Sequence, residues 1–592
     1  MDPYELHPRR PGKSQHSCPA HSHFLPHAST HLTPFFFCFS ANQERCGFGW
    51  HMFVEALAEG RGVSLPAGAL GAARTISSAV GAYTRVRKQF KVPIAEFGGI
   101  QEALARAGRE SYTVIAGVEL MNAIVDNHEA PMVLSSIMKQ SCTDRGRTVV
   151  QDGMDILGGA GICRGNMNFL GNMYMSMPVA ITVEGANIMT RSFQIIGQGL
   201  TRCHPHILPL IYALQDKANP ESPAIFMKQA LKVFGHVGAN FGLSITRGLS
   251  STLSTALRSP HAYKDSEKLL AYHEAQLLRL SANFAFTADL ALGLGGKAPH
   301  SPPHITLKSL LYRFFSRPSL THSARMSQPD SSPHASLIVL GKLKFEELLM
   351  GRLSDAMGAI FLGYATLHHF SRNKHVEGLN ALAESAMLNL ECEAQNALRD
   401  AAYNFPKIDG KIPGLGWIMS LGVAPLGELM RPYRPPGDEL IKDVAKMMST
   451  PSAVHDMFAE NVYLGEGATG RTRVAELIEA LPVCVEADAV SKRLRVEKRE
   501  PTAKESILLE QAVALRDTLI QVDVHDKVGS LEEIPKYVRP AIASTDARLK
   551  QGGLANFGAA QAAGSASYTP QVSQAVHEVP QAGRATQAAA SS

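Results

Sequence analysis

Paired cysteines are missing from this chain of 592 residues. The eight present (Cys18, Cys38, Cys46, Cys142, Cys163, Cys203, Cys392 and Cys484) never stand in CxxC spacing, so neither a zinc ribbon nor a redox dithiol is supported. Such scatter suits buried thiols in a reducing compartment. There is no run of five or six basic residues, and a net charge of +5 is spread over the whole length, so no nucleic-acid partner is expected. No stretch has the ~20 apolar residues that a bilayer span needs. The nearest, Ile412 to Gly427, is sixteen residues without a charge but holds two prolines and four glycines. It reads either as a buried irregular segment or as a peripheral membrane contact. A tidy signal peptide is lacking, since the apolar TPFFFCFSA is short and follows a His/Pro-rich lead. No internal repeat is evident.

What is present is an ordinary globular balance, 45% apolar and 19% charged, over a length that admits several domains. Residues 1–48 mix Pro, His, Ser and Cys without periodicity and read as disorder. Cys18, His21, His23, His27 and His31 lie close in sequence there, with no hydrophobic scaffold to fix a metal geometry. Helical patterning starts near Gly49. Ser64, two before Pro66, is a plausible cap for a helix running to Arg87. A second helix from Ile100 would line Leu104, Ala107, Ile115, Val118 and Met121 on one side. A third spans Met132 to Ile156 and stops at Gly158-Gly159-Ala160-Gly161. A fourth begins near Gly185 and runs through Phe193 and Ile196. Residues 220–295 stay helical, with Leu269, Leu270, Tyr272, Leu277, Leu278 and Leu280 in one stretch. Residues 297–340 read as a disordered insert, 405–437 as a Pro/Gly-rich stretch, and 550–592 as a disordered Ala/Gln/Gly/Ser tail. The expected fold class is all-α: a four-helix bundle over 49–215, then a second helical domain over 216–296 and 341–549.

One further absence is local. Between Arg164 and Arg191 the only charged residue is Glu184, flanked by Ala180, Ile181, Val183, Ile188 and Met189. Apolar surroundings raise a carboxyl's pKa and suit it to take a proton from carbon near neutral pH. The same residue would equally serve as a surface carboxylate at the start of the next helix, where the dipole favours negative charge. Two other patterns are weaker. GEGATG at 465–470 fits GxGxxG without a strand before it, so it reads as a loop. His204-Pro205-His206 has no acidic or cysteine partner at ligand spacing, so it reads as a helix-ending turn and no metal is expected.

The segment PVAITVEGANIMTRSFQIIGQGLTRCHPHIL resembles the catalytic-base region of bacterial-type acyl-CoA dehydrogenases. HMFVEALAEGRGVSLPA, RVRKQF, MDILGGAGI, NFLGNMYM, GHVG with ITRGLSS, and GRLSDAMGAIFLGYATL extend the likeness collinearly from about Gly49 to Leu549, interrupted near 297–340. The resemblance implies FAD-dependent dehydrogenation of long-chain fatty acyl-CoA to trans-2-enoyl-CoA, with electrons passing to electron-transfer flavoprotein. It makes Glu184 the base for the α proton, and Gly185 its partner in a Glu-Gly pair. Arg87, Gln89 and Phe90 match an element that reaches the FAD of a neighbouring subunit, which implies a homo-oligomer. Gly158 and Gly159 match a pair that lets backbone approach the cofactor, and Arg61 an arginine beside the substrate.

Departures from the wider family are Asp155 where relatives carry Gln, Phe97-Gly98 where they carry His-Gln, and Ala186 where they carry Thr. Relatives place a helical domain and a β-domain ahead of this region, so the chain is expected to lack that half of the enzyme. The alternative is a catalytically incompetent helical scaffold. The family implies the cytoplasm or the membrane face, and a mitochondrial or peroxisomal setting if the source is eukaryotic.

Overall fold

The computed structural model describes residues 57 and 60–522, apart from 130, 164, 166, 200–203, 217–218, 258–261, 295–345, 405–432 and 466–471. The readings for 1–48, 297–340, 412–427, 466–470 and 550–592 fall outside the described residues.

The fold is all-α. Helices α1 (Ser64–Val86), α2 (Gly98–Asp126) and α3 (Met132–Leu157) pack mutually. Then come α4 (Gly171–Thr182), α5 (Asn187–Met189, continued by a π-helical stretch Thr190–Gln198), α6 (Ile207–Gln215), α7 (Ser222–Leu257) and α8 (Ser266–Leu294). Beyond these lie α9 (Glu347–Arg372), α10 (Leu379–Asn404), α11 (Asp438–Met448), α12 (Ala453–Ala459), α13 (Arg473–Glu497) and α14 (Ala503–Leu519). Among the described residues no helix is long and apolar enough to cross a membrane.

Periodicity explains the packing of α2: Leu104, Ala107, Ile115, Val118 and Met121 are buried and Ile100 half-buried, the face its 3.6-residue repeat marks out. Helices on both sides of residue 216 share one core. Tyr83, Ile115 and Val149 of the early helices belong to the same buried cluster as Leu277, Met387, Met448 and Leu481. Helices α11, α12 and α13 pack on α1, and α9 and α10 on α2.

Three local expectations change. Ser64 is the first residue of α1, not its cap. The chain is already helical at 60–62, and the Val63 carbonyl accepts from the Ala67 N–H at 2.9 Å, so that donor needs no hydroxyl. Helix α4 was not anticipated, because Pro178 lies inside it and its sequence shows no charged face. Its start is set by Asn168, whose Oδ1 accepts from the backbone N–H groups of Leu170 (2.9 Å) and Gly171 (2.7 Å). The helix placed at Gly185 opens two residues later, at Asn187, and widens into a π-helix.

Between α1 and α2 a two-residue hairpin pairs Lys88 with Pro93 and Gln89 with Val92. Its turn residues, Phe90 (φ 51°) and Lys91 (φ 68°), are both left-handed. A type I′ turn needs that conformation and usually fills it with Asn-Gly.

Candidate active site

Glu184 occupies the link between α4 and α5 with φ 52°, followed by Gly185 at φ 93°. A non-glycine residue held left-handed stores roughly 1–3 kcal/mol of strain and needs its surroundings to hold it there. Two cations do so by gripping successive carbonyls. Arg61 donates from Nε to the Glu184 carbonyl at 2.9 Å and from Nη1 to Ser136 Oγ at 3.3 Å. Lys139, fully buried on α3, donates to the carbonyls of Gly185 (2.8 Å) and Ile181 (3.1 Å) and to Asn187 Oδ1 (2.5 Å). Asn187 passes the tie on to Thr143 Oγ1 at 2.9 Å. Burial pushes the Lys139 amine down to about 8, although Asp144 pulls it up. Burial also lowers Arg61, against the pull of Glu184.

The carboxylate of Glu184 is half-buried. Oε2 is shielded from solvent with no hydrogen-bond partner, and Oε1 lies so close over Gly60 that a Cβ there would sit 3.2 Å away. No described residue accepts from the Glu184 backbone N–H. The apolar neighbours thought to enclose the acid do not: Val183, Ile188 and Met189 are exposed, as are Tyr174, Met175 and Val179 on α4. They form an apolar surface beside Glu184 rather than a lid over it. This corrects the enclosed setting read from sequence, because the link and α4 lie on the outside of α3.

A second group gathers at the far ends of α1 and α3. Arg87 Nη1 donates to the Leu157 carbonyl at 3.2 Å and to the Tyr83 hydroxyl at 3.3 Å, which sets its guanidinium beside Gly158 and Gly159. Gly158 has φ 59°, and a Cβ on either glycine would meet nothing within 4 Å. The flanking cations are engaged elsewhere: Arg85 pairs with Glu96, and Lys88 with Asp488 at 2.6 Å. Among the described residues Arg87 has no carboxylate partner. Phe90 projects from the hairpin, 90% exposed, with only an edge contact to Phe97 at 6.3 Å between ring centres, and Gln89 is exposed beside it. Asp155 is exposed on the last turn of α3. A cavity lined by Tyr83, Leu157, Phe169 and Leu477 holds only about 10 Å³, room for a water and not for an acyl chain.

The structure therefore brings Arg61 to Glu184 and Gly185, and Arg87 to Gly158 and Gly159. Lys139 was missed in the sequence; the one signal for it is a lone lysine on the apolar face of α3. The reading of His204-Pro205-His206 as partnerless is also corrected. Asp289, on a different helix, lies 3.3 Å from His204, a proximity no sequence spacing encodes.

Residues 47–200 match the family model for the acyl-CoA dehydrogenase C-terminal domain. Residues 201–298 and 331–542 match the model for the bacterial-type acyl-CoA dehydrogenase C-terminal region. The chain belongs to the acyl-CoA dehydrogenase family. Within that family its second half is of the bacterial type.

Solved structures that match the chain include an acyl-CoA dehydrogenase from Bacillus anthracis complexed with FAD, 16% identical at a TM-score of 0.45 over 68% of this chain and 57% of that one. An acyl-CoA oxidase from tomato is 13% identical at 0.35, over 69% of this chain and 53% of its own. Acyl-CoA oxidase-1 of Caenorhabditis elegans, complexed with FAD and ATP, is 10% identical at 0.34, over 77% and 57%. The chain thus spans a little over half the length of these proteins.

Proposed function

We propose that this chain carries the base and part of the flavin-binding surface of an enzyme that dehydrogenates long-chain fatty acyl-CoA to trans-2-enoyl-CoA. The observation that carries the reading is the Glu184 turn: a left-handed residue with its own and the next carbonyl clamped, one carboxylate oxygen shielded and unpaired, and a backbone N–H with no acceptor among the described residues. The carboxylate accepts the proton α to the thioester. The N–H of the same residue then stands where it can donate to the developing enolate oxygen, a preorganised donor of the oxyanion-hole kind. The exposed apolar surface from Tyr174 to Met189 suits an acyl chain or a ring system laid against it.

The residues present fit FAD. Arg87 offers a guanidinium with no carboxylate partner among the described residues, suited to a pyrophosphate, and Gly158 and Gly159 leave open backbone beside it. Phe90 and Gln89, exposed on the hairpin, can reach a flavin held by a second copy, which supports a homo-oligomer. When bound, FAD supplies the oxidation by taking the β hydrogen as hydride. Electron-transfer flavoprotein as acceptor, the long-chain preference and a cytoplasmic or membrane-face setting follow from the family resemblance.

The test is to purify the chain, record its flavin spectrum, and add palmitoyl-CoA with a redox dye. Bound flavin and dye bleaching are expected, with Glu184→Gln about 10²–10⁴-fold slower, since the amide keeps the shape but cannot take the proton. Colourless protein that bleaches no dye would leave a helical scaffold instead. Unchanged turnover in the variant would place the base elsewhere.

A further inference from the structure

Asp289 of α8 is a buried carboxylate in an unusual setting. Its Oδ2 lies 2.9 Å from His236 Nδ1 and accepts from Asn240 Nδ2 at 2.8 Å, both on α7, which packs along α8. Its Oδ1 faces Nε2 of His204, in the turn before α6, at 3.3 Å. Neither lysine nor arginine reaches it among the described residues. A buried ionised carboxylate is costly unless hydrogen-bond donors or a cation meet it. Among the described residues only imidazoles and the Asn240 amide stand near enough, an arrangement that a metal ion between them would complete.

The geometry points to a site for a first-row divalent metal ion, of the zinc class, formed by His204, His236 and Asp289. One ligand atom from each lies within 4.8 Å of the others. His204 is buried, and its Nε2 is shielded from solvent with no properly formed hydrogen bond, so that atom is held toward the carboxylate without being satisfied by it. Two imidazoles and one carboxylate suit zinc and its neighbours and do not suit calcium or magnesium, which take oxygen ligands. The His206 ring, 6.0 and 6.1 Å from the rings of His204 and His236, flanks a fourth position for itself or a water. His236 is half-buried and gives the ion an entry. Asn240 donates to the same Oδ2 that faces His236, and its Nδ2 lies 3.2 Å from His236 Nδ1; it would hold the carboxylate as outer partners do at metal sites.

Ligation by His204 Nε2 requires its ring proton on Nδ1. The 3.1 Å contact in which Nδ1 accepts the His206 backbone N–H is therefore the one given up. Binding also displaces imidazole protons, so affinity rises with pH. The site would tie the 204–206 turn to α7 and α8, and it is independent of whether Glu184 is a base.

The experiment uses the full chain, stripped with chelator and dialysed against Zn²⁺ or Co²⁺. The wild type is expected to retain one equivalent more than either His236→Ala or Asp289→Asn, a comparison that cancels binding by the other histidines among the 23 in the sequence. Co²⁺ should give visible d–d absorption in the wild type beyond that of either variant, and Zn²⁺ but not Mg²⁺ should raise its melting temperature. Asn240→Ala should weaken binding about 10–100-fold. Equal stoichiometry in all proteins, or no retained ion in the wild type, overturns the site. If Asp289→Asn does not fold, His236→Ala, at a more open position, decides the question alone.

Discussion

Lys139 is the residue on which the Glu184 turn most depends. A buried ammonium is costly unless it is fully bonded, and this one meets three acceptors that fix Ile181, Gly185 and Asn187 relative to α3. Lys139→Met keeps the stem and removes all three donors. Hydrogen bonds to a charged group contribute about 1.5–3 kcal/mol each, partly offset here by no longer burying an ammonium, so urea unfolding should show a loss of at least about 1.5–3 kcal/mol. The proposed dehydrogenation should fall further than that stability loss explains, because Gly185 no longer holds the base in its left-handed conformation. A variant as active as the wild type would mean that Arg61 alone positions the turn. Neither cation was legible as a clamp beforehand. The resemblance makes Arg61 a substrate contact; within the protein it bonds the Glu184 carbonyl and Ser136.

At the scale of elements, close approach of helices rests on small residues whose purpose a single sequence does not reveal. Gly81 on α1 faces the end of α11, where an added Cβ would lie 2.1 Å from the Met448 carbonyl. Backbone cannot yield there as a flexible side chain would. Gly81→Ala should force α11 outward and cost about 1–3 kcal/mol, measured as a lower urea midpoint. An unchanged midpoint would show that α11 is not seated on α1 in solution. The other elements are locally specified to different degrees. The cap of α14 was readable in principle, since Thr502 and Glu505 form a reciprocal capping box. The start of α4 depends on Asn168 folding back on two N–H groups, and the Phe90-Lys91 turn adopts a conformation its residues disfavour.

For the whole molecule, the joints between early and late helices are buried and charged. Arg145 of α3 reaches both Glu110 of α2 and Glu393 of α10. His273 of α8 lies wholly buried between two carboxylates of α10, with Nδ1 2.6 Å from Glu391 and Nε2 2.8 Å from Glu384. Burial alone would lower this imidazole. The two carboxylates outweigh it and raise it to about 9 from an ordinary 6.5. A histidine raised on folding stabilises the protein fully below about 6.5, and that contribution is lost as pH climbs through about 9. Against His273→Gln, the wild type should therefore be more stable at pH 6, by about 3–5 kcal/mol for a broken buried pair. The gap should shrink by pH 9–10. Urea midpoints of both proteins across that range check it, and a gap independent of pH would show that His273 does not hold the proton.

Sequence alone was enough to decide that the chain is helical, which face of α2 turns inward, and which acid stands alone in a charge-free stretch. Those properties are local, being carried by a 3.6-residue period and by composition over a few turns. Tertiary structure decided that the apolar neighbours of Glu184 face outward, that Lys139 and Arg61 converge on its backbone, that helices from both halves share one core, and that Asp289 meets His204 and His236. Each of those depends on groups distant in the chain meeting across packed helices, and the energies that bring them together belong to the assembled core rather than to any segment of it.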